Sequence, residues 1–158
     1  FIKNITSNNK GVSIMDFEEL AKEICLKAHE GQLDKGGHPY YLHPFKVASY
    51  GKTTEERIVG YLHDTVEDTN ITLKDLENYG FSKEIVLAVD AITHREDESY
   101  DEYLTRLSKN PLATKVKIND FINNTDLSRL AKVTHRDIKR AYKYLKYLDR
   151  LIKIDKGR

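Results

Sequence analysis

The sequence predicts an all-α protein, a compact bundle of roughly seven or eight helices. Three observations point there. Apolar residues recur at spacings of three and four along most of the chain. Capping patterns with a hydroxyl or acidic residue precede several of those runs. No segment alternates apolar and polar residues as a half-buried strand would, and no tight hairpin signal separates two such segments.

Phe17, Leu20, Ala21, Ile24 and Ala28 fall on one face of a first helix, with Asp16 as N-cap, Glu19 three residues later and Gly31 as the stop. From Gly31 to Leu42 three glycines and a proline make a loop. His43-Pro44 opens the next helix, because a first turn tolerates proline, and Phe45, Val47 and Ala48 follow. Thr54 is the expected cap of a third helix, with Ile58, Val59, Leu62 and Val66 as its buried stripe. Thr72 with Asp75 caps a short helix that Gly80 closes, and Ser82 begins an apolar run through Ile85, Val86, Leu87, Val89 and Ile92. His94 to Ser99 reads as a polar loop into a helix from about Tyr100 to Lys109. Asn110-Pro111 starts another, running to about Asn124. In the last helix Thr134 and Asp137 form a capping box, and Ile138, Ala141, Leu145, Leu148 and Ile152 make the stripe.

At 158 residues the chain has a single-domain length. Residues 15–158 are expected to form that domain. Residues 1–14 read as a leader or added segment, poorly ordered, since Met15 is the only methionine and Phe1 to Ser13 are too polar for a signal peptide. Charged residues make up 32% of the chain, yet the net charge is only +1, which argues against whole-surface attraction to nucleic acid and leaves a local basic pocket open. The last helix does interleave Lys139, Arg140, Lys143 and Lys146 with Tyr142, Tyr144 and Tyr147, but its apolar stripe favours a packed helix with a solvated basic face, so a nucleic-acid partner is not expected. The single cysteine, Cys25, excludes an intrachain disulfide or a thiolate zinc cluster and fits a small core residue in a reducing, cytoplasmic compartment. No apolar run approaches the roughly 20 residues of a membrane span, and no membrane partner is expected.

The chemistry concentrates at His63-Asp64, inside Tyr61-Leu62-His63-Asp64-Thr65-Val66-Glu67-Asp68. On one continuous helix a spacing of four would stack His63 over Glu67 and Asp64 over Asp68. Asp64, Glu67 and Asp68 repel one another unless a cation or a proton relieves them. Imidazole and carboxylate together suit manganese, iron or zinc. His43, beside Pro44, and Asp120, in Val116-Lys117-Ile118-Asn119-Asp120-Phe121-Ile122, are candidates to complete a metal site. The blander reading is a hydrogen-bonded histidine and a solvated acidic helix end. His29 and His38 read as structural or surface residues, and His94 and His135 as solvent-facing. Tyr100 and Tyr103 suit a pocket wall or the core equally, and Arg106 and Lys117 are two of many cations that could meet a phosphate.

Longer runs add a resemblance. Ala28-His29-Glu30-Gly31-Gln32, Lys35-Gly36-Gly37-His38-Pro39-Tyr40-Tyr41-Leu42-His43-Pro44 and Val47-Ala48 resemble the opening of the HD-type enzymes of RelA/SpoT kind that degrade guanosine tetra- and pentaphosphate, the alarmone hydrolases. Leu62-His63-Asp64-Thr65-Val66-Glu67-Asp68-Thr69, then Val89-Asp90-Ala91-Ile92-Thr93, then Lys117-Ile118-Asn119-Asp120 with Asn124, are similar to that family's later blocks, in order, over residues 16 to 130. The resemblance implies an HD-type helical fold. His43, His63, Asp64 and Asp120 would be ligands of a divalent metal, with manganese the usual ion. Glu67 and Asp68 would be the catalytic pair that positions and deprotonates water, and Lys35 and Asn124 would contact the nucleotide. The implied reaction removes the 3′-pyrophosphate of guanosine tetraphosphate.

Two positions depart from the family. Asp34 stands where an arginine usually helps hold the base, and an acid there cannot stack and would repel an anionic nucleotide. Phe121-Ile122-Asn123 replaces the Arg-Leu-His common in the long bifunctional members. The alternatives are a phosphohydrolase acting on another nucleotide or small phosphoester, and a helical module that binds metal or nucleotide without catalysis.

Overall fold

A computed structural model describes residues 16–158, so the reading of residues 1–14 lies outside the described residues. These residues form nine α-helical segments and one 3-10 turn, with no strand among them. Asp16 caps α1 (Phe17–Ala28) through the N–H groups of Glu18 and Glu19. Gly31, at φ 78°, then turns the chain out of the helix. The loop that follows is tighter than the sequence reading allowed. Leu33 and Pro39 form an antiparallel bridge, Asp34 N–H meets the His38 carbonyl at 2.8 Å, and Tyr40 N–H meets the Gln32 carbonyl at 2.9 Å. A single bridge needs no alternating pattern, so periodicity could not reveal it. Its turn is held instead by the Asp34 carboxylate, which accepts from Gly36 and His38 N–H at 2.8 and 2.9 Å.

Helix α2 (Leu42–Ser49) carries His43 in its first turn. The next segment corrects the sequence reading twice. Thr53, not Thr54, is the cap of α3 (Thr54–Leu62). The helix also does not run through to Val66: it ends at Leu62, and a separate turn, α4 (Thr65–Asp68), follows. The cause is side-chain competition for backbone carbonyls. His63 Nδ1 takes the Gly60 carbonyl at 2.7 Å, and the Thr65 hydroxyl takes the Leu62 carbonyl at 2.7 Å. In an unbroken helix those carbonyls would accept from residues 64 and 66. Val66 is consequently half-buried rather than part of the stripe.

The remaining helices are α5 (Leu73–Asn78), α6 (Lys83–Ile92), α7 (Tyr100–Leu107), α8 (Pro111–Thr125) and α9 (His135–Lys156), with the 3-10 turn Leu127–Arg129 between the last two. Capping boxes at Thr72/Asp75, Ser99/Glu102 and Thr134/Asp137 start three of them. Helix α8 is central, packing on α9 and against α2, α3 and α6. The inward face of α9 differs from the expected stripe. Ile138 and Leu145 are 52% and 49% exposed, while Tyr144, Tyr147, Leu148 and Ile154 pack on the core around buried Ala141 and Leu151. Tyr144 and Tyr147 meet the ring of Phe121 at 5.4 and 6.1 Å, and Tyr147 also meets Tyr100 at 4.8 Å. Tyrosine bodies bury while their hydroxyls reach polar surroundings, and that outcompetes the aliphatic strip.

One contact sets the spacing of α2 and α3. A Cβ on Gly60 would stand 2.7 Å from Ala48 Cα and 2.9 Å from Ala48 N. The two backbones therefore touch where Gly60 meets Ala48. Gly60→Ala should force the helices apart and cost roughly 1–3 kcal/mol, seen as a lower urea midpoint with an unchanged m-value.

Candidate metal centre

Three segments bring their polar side chains to one point: the start of α2, the break between α3 and α4, and the inner face of α8. His43 Nε2 lies 2.9 Å from Asp120 Oδ1 and 3.6 Å from Asp64 Oδ2. His63 Nε2 lies 3.1 Å from Asp64 Oδ2 and 3.7 Å from Asp120 Oδ1. His43, His63 and Asp120 are buried, and each offers one atom within 4.8 Å of the others.

The outward atoms of these groups are already engaged. His63 Nδ1 donates to the Gly60 carbonyl, and His43 Nδ1 to Asn123 Oδ1, each at 2.7 Å. Those oxygens only accept, so a neutral imidazole keeps its proton on Nδ1 and turns a lone pair inward on Nε2. His63 Nε2 is buried and has no hydrogen-bond partner. Two lone pairs facing two carboxylates repel unless the rings take a second proton or a cation sits among them. Burial opposes charge on His63, but Asp64 and Asp120 outweigh it and raise its pKa well above the ordinary value. Burial would likewise raise Asp64, yet the imidazoles of His63 and His43 hold it below the usual carboxylate range. This donor set fits a divalent transition ion, and its outer partners are those that orient metal ligands. The Tyr40 hydroxyl donates to Asp64 Oδ2 at 2.7 Å, and burial followed by the Asp64 charge keeps that phenol protonated.

Asp120 is held from two sides. Lys117 Nζ donates to Oδ2 at 2.8 Å and Asn124 Nδ2 to Oδ1 at 2.7 Å. Burial works against charge on the Lys117 ammonium, whose side chain is 13% exposed, but Asp120 keeps it protonated. In return, Lys117 and the two imidazoles overcome burial and keep Asp120 ionised.

A cavity of about 400 Å³ lies over this cluster. Seven of the eight residues singled out from the sequence line it: Lys35, His43, Asp64, Glu67, Asp68, Asp120 and Asn124. His63 stands buried behind them. Burial, then the charges of Asp64 and Glu67, pushes Asp68 up to about 6. The basic lining comes from Lys117, the exposed Lys35 and Arg129, and the half-buried Arg140.

Several expectations change here. His94 is not solvent-facing: it lines the cavity and packs on Tyr100 and Tyr103 at 5.7 and 4.9 Å. His29 takes the structural side of its reading: it is 1% exposed and bonds Gln32 Oε1, while Gln32 Nε2 donates to the Asp68 carbonyl at 3.1 Å. Asp34 lines the cavity with its carboxylate tied to its own turn. Burial opposes ionisation there, but His38 and Gly36 N–H groups keep its pKa low. Tyr100 and Tyr103 both line the cavity, and Tyr103 is also core. Arg106 does not meet the cavity; it pairs with Glu98. Sequence reasoning passed over Tyr40, Asn123 and Arg129 as site residues, and it read Arg140 and Tyr144 as part of a solvated basic face, whereas both line the cavity.

No protein-family model matches the chain. Sequence relatives do. A GTP pyrophosphokinase of Streptomyces coelicolor is 31% identical over 127 residues, covering 72% of this chain and 15% of that protein. A guanosine-3′,5′-bis(diphosphate) 3′-pyrophosphohydrolase of Aquifex aeolicus is 28% identical over 116 residues, covering 66% of this chain and 16% of that protein. A solved metazoan SpoT orthologue, described as hydrolysing ppGpp, superposes with a TM-score of 0.71 at 19% identity, covering 89% of this chain and 88% of that one. This chain is a relative of the RelA/SpoT alarmone enzymes. It spans about 15% of the length of the first of these RelA/SpoT sequence relatives, and it shares the all-helical fold of the SpoT orthologue. None of the described helices is long and apolar enough to cross a membrane.

Two outcomes follow from the geometry. Chelator-treated protein should melt at a lower temperature than protein given a divalent cation, and His63→Ala should remove that difference, since it deletes the inward lone pair; calorimetry with and without the ion reads both. Separately, the Arg106 guanidinium pulls Glu98 down from the ordinary 4.5 to about 2. A lowered folded-state pKa stabilises the fold above the unfolded value and loses that contribution as pH falls towards the folded one. The stability difference between wild type and Glu98→Gln in urea titrations should therefore be full above about pH 4.5 and shrink towards pH 2.

Proposed function

We propose that this chain is a divalent-metal phosphohydrolase that removes the 3′-pyrophosphate from guanosine tetraphosphate. The observation that carries the reading is the convergence of His43, His63, Asp64 and Asp120 beneath a cavity that also holds Glu67 and Asp68. The four would hold the ion, with manganese the one implied by the sequence resemblance. Such an ion supplies Lewis acidity, polarising a phosphoryl oxygen and making water more acidic.

The chain's own groups would do the rest. Glu67 and Asp68, one turn beyond Asp64, accept the proton of the attacking water. The water oxygen bonds to the phosphorus next to the ribose 3′-oxygen, the bond from that phosphorus to the 3′-oxygen breaks, and the 3′-oxygen takes up a proton. Guanosine diphosphate and pyrophosphate leave. Lys35, exposed at the cavity, would neutralise phosphate charge, and Asn124 would contact the nucleotide through the carbonyl its amide leaves free. Asp34 is less hostile to an anion than its charge suggests, because two backbone N–H groups already hold it. Relatives carry the names of both synthesis and hydrolysis. The acidic cluster favours hydrolysis, as it offers acceptors for a water proton, and a cavity of about 400 Å³ suits a single nucleotide.

Manganese-loaded chain should release pyrophosphate and guanosine diphosphate from guanosine tetraphosphate. Glu67→Ala and Asp68→Ala should each lower kcat by roughly 10²- to 10⁴-fold. No turnover by correctly metallated wild type removes the reading. A nucleotide panel scored for phosphate and pyrophosphate tests the second reading, another phosphoester substrate, which the Asp34 substitution favours.

A further inference from the structure

We infer that Arg106 is a positioning residue for Glu67, acting through the segment 93–98 and the backbone N–H of His94. The inference rests on the proposal that Glu67 accepts the water proton. His94 N–H donates to Glu67 Oε1 at 2.7 Å, across 27 positions of sequence. It is the only hydrogen bond to Glu67 among the described residues. Glu67 is exposed on a four-residue turn, so this bond is the hydrogen-bond restraint on its rotamers.

The N–H of His94 is in turn held in place by its own loop. Arg106 lies in α7 and turns its guanidinium onto the end of α6. It donates to the carbonyls of Asp90 at 3.4 Å, Ala91 at 3.2 Å and Thr93 at 2.8 Å. They lie at the helix C-terminus, where carbonyls are short of intrahelical partners, although the Asp90 carbonyl also accepts Thr93 N–H at 3.3 Å. The same fork grips Glu98, with Nε on Oε2 at 2.9 Å and Nη2 on Oε1. Glu98 then closes the loop from the other side. Its carboxylate accepts Arg95 N–H at 2.9 Å, and its carbonyl meets His94 Nε2 at 3.0 Å. The Tyr103 hydroxyl donates to the Ile92 carbonyl. Both ends of the loop are thus fixed to one planar cation. A lysine could supply some of these bonds, but not the fork that spans three carbonyls and a carboxylate. Arg106 does not line the cavity, so it reaches the reaction indirectly, and the hydrogen bond from His94 N–H carries its effect to Glu67.

The test is a double-mutant cycle on the full chain, with manganese and guanosine tetraphosphate, over Arg106→Ala and Glu67→Ala. Metal content and thermal melting are measured on every variant. Arg106→Ala should lower kcat by roughly 10- to 100-fold, with KM within about twofold. In the Glu67→Ala background the same change should add almost nothing, because the residue it positions is gone. Arg106→Lys should recover part of the loss, and amide exchange at His94 should quicken as kcat falls. If Arg106→Ala folds poorly, Glu98→Gln opens the same clamp at constant volume and takes its place in the cycle. The inference is overturned if the Arg106 effect persists at full size without Glu67, or if kcat is unchanged. An unchanged kcat in Glu67→Ala alone removes instead the reading of Glu67 as proton acceptor.

Discussion

The bond from the His63 ring to the Gly60 carbonyl organises the site. By taking a carbonyl that the helix would have used, it ends α3 one residue before the ring. By fixing the Nδ1 proton, it leaves Nε2 as an inward lone pair with no other partner. The same Gly60 supplies the missing side chain that lets α2 approach, and α2 brings His43. One residue thus sets the helix end, the tautomer and the approach of the helix that carries His43. Asp64 and the turn bearing Glu67 and Asp68 follow directly from the break.

Charge in the cavity is managed by pairing rather than by exclusion. Asp120 shares a buried lysine, Asp64 shares a phenol, and Asp34 is absorbed into its own turn. Neutralising Asp120 from outside matters because uncompensated buried carboxylates are expensive. Lys117 also stands over the rings of Tyr103 and Phe121, at 5.4 and 5.0 Å, which lowers the cost of keeping an ammonium out of water. What remains open to a ligand is a cluster of acceptors beneath surrounding basic side chains.

Most of the helices were legible because their boundaries are written locally, in caps such as Thr72/Asp75, Ser82 and Thr134/Asp137. The break at His63-Asp64 was not, since it depends on an imidazole and a threonine hydroxyl outcompeting backbone N–H groups, and the apolar pattern continues across it. The inward face of α9 was ambiguous for a related reason. Two strips share that helix, and contacts with Phe121 and Tyr100 on other elements select the tyrosine side. At the site, the residue types and their order pointed to His43, His63, Asp64 and Asp120 as a set, but spacing carries no information on convergence. Asn123 and Tyr40 escaped because their work is done through another residue, and Lys117 was read only as one of many cations for a phosphate, whereas it holds Asp120.

The single turn α4 lies between two neighbouring loops that each hold it by one bond. Gln32, from the segment leading into the bridged hairpin, grips the Asp68 carbonyl, and His94 grips the Glu67 carboxylate. Four residues make too short a helix to be rigid by itself. The aim of both carboxylates is consequently inherited from outside the turn, like a plank resting on two trestles, and a ligand that shifts either support re-aims the acids without touching them.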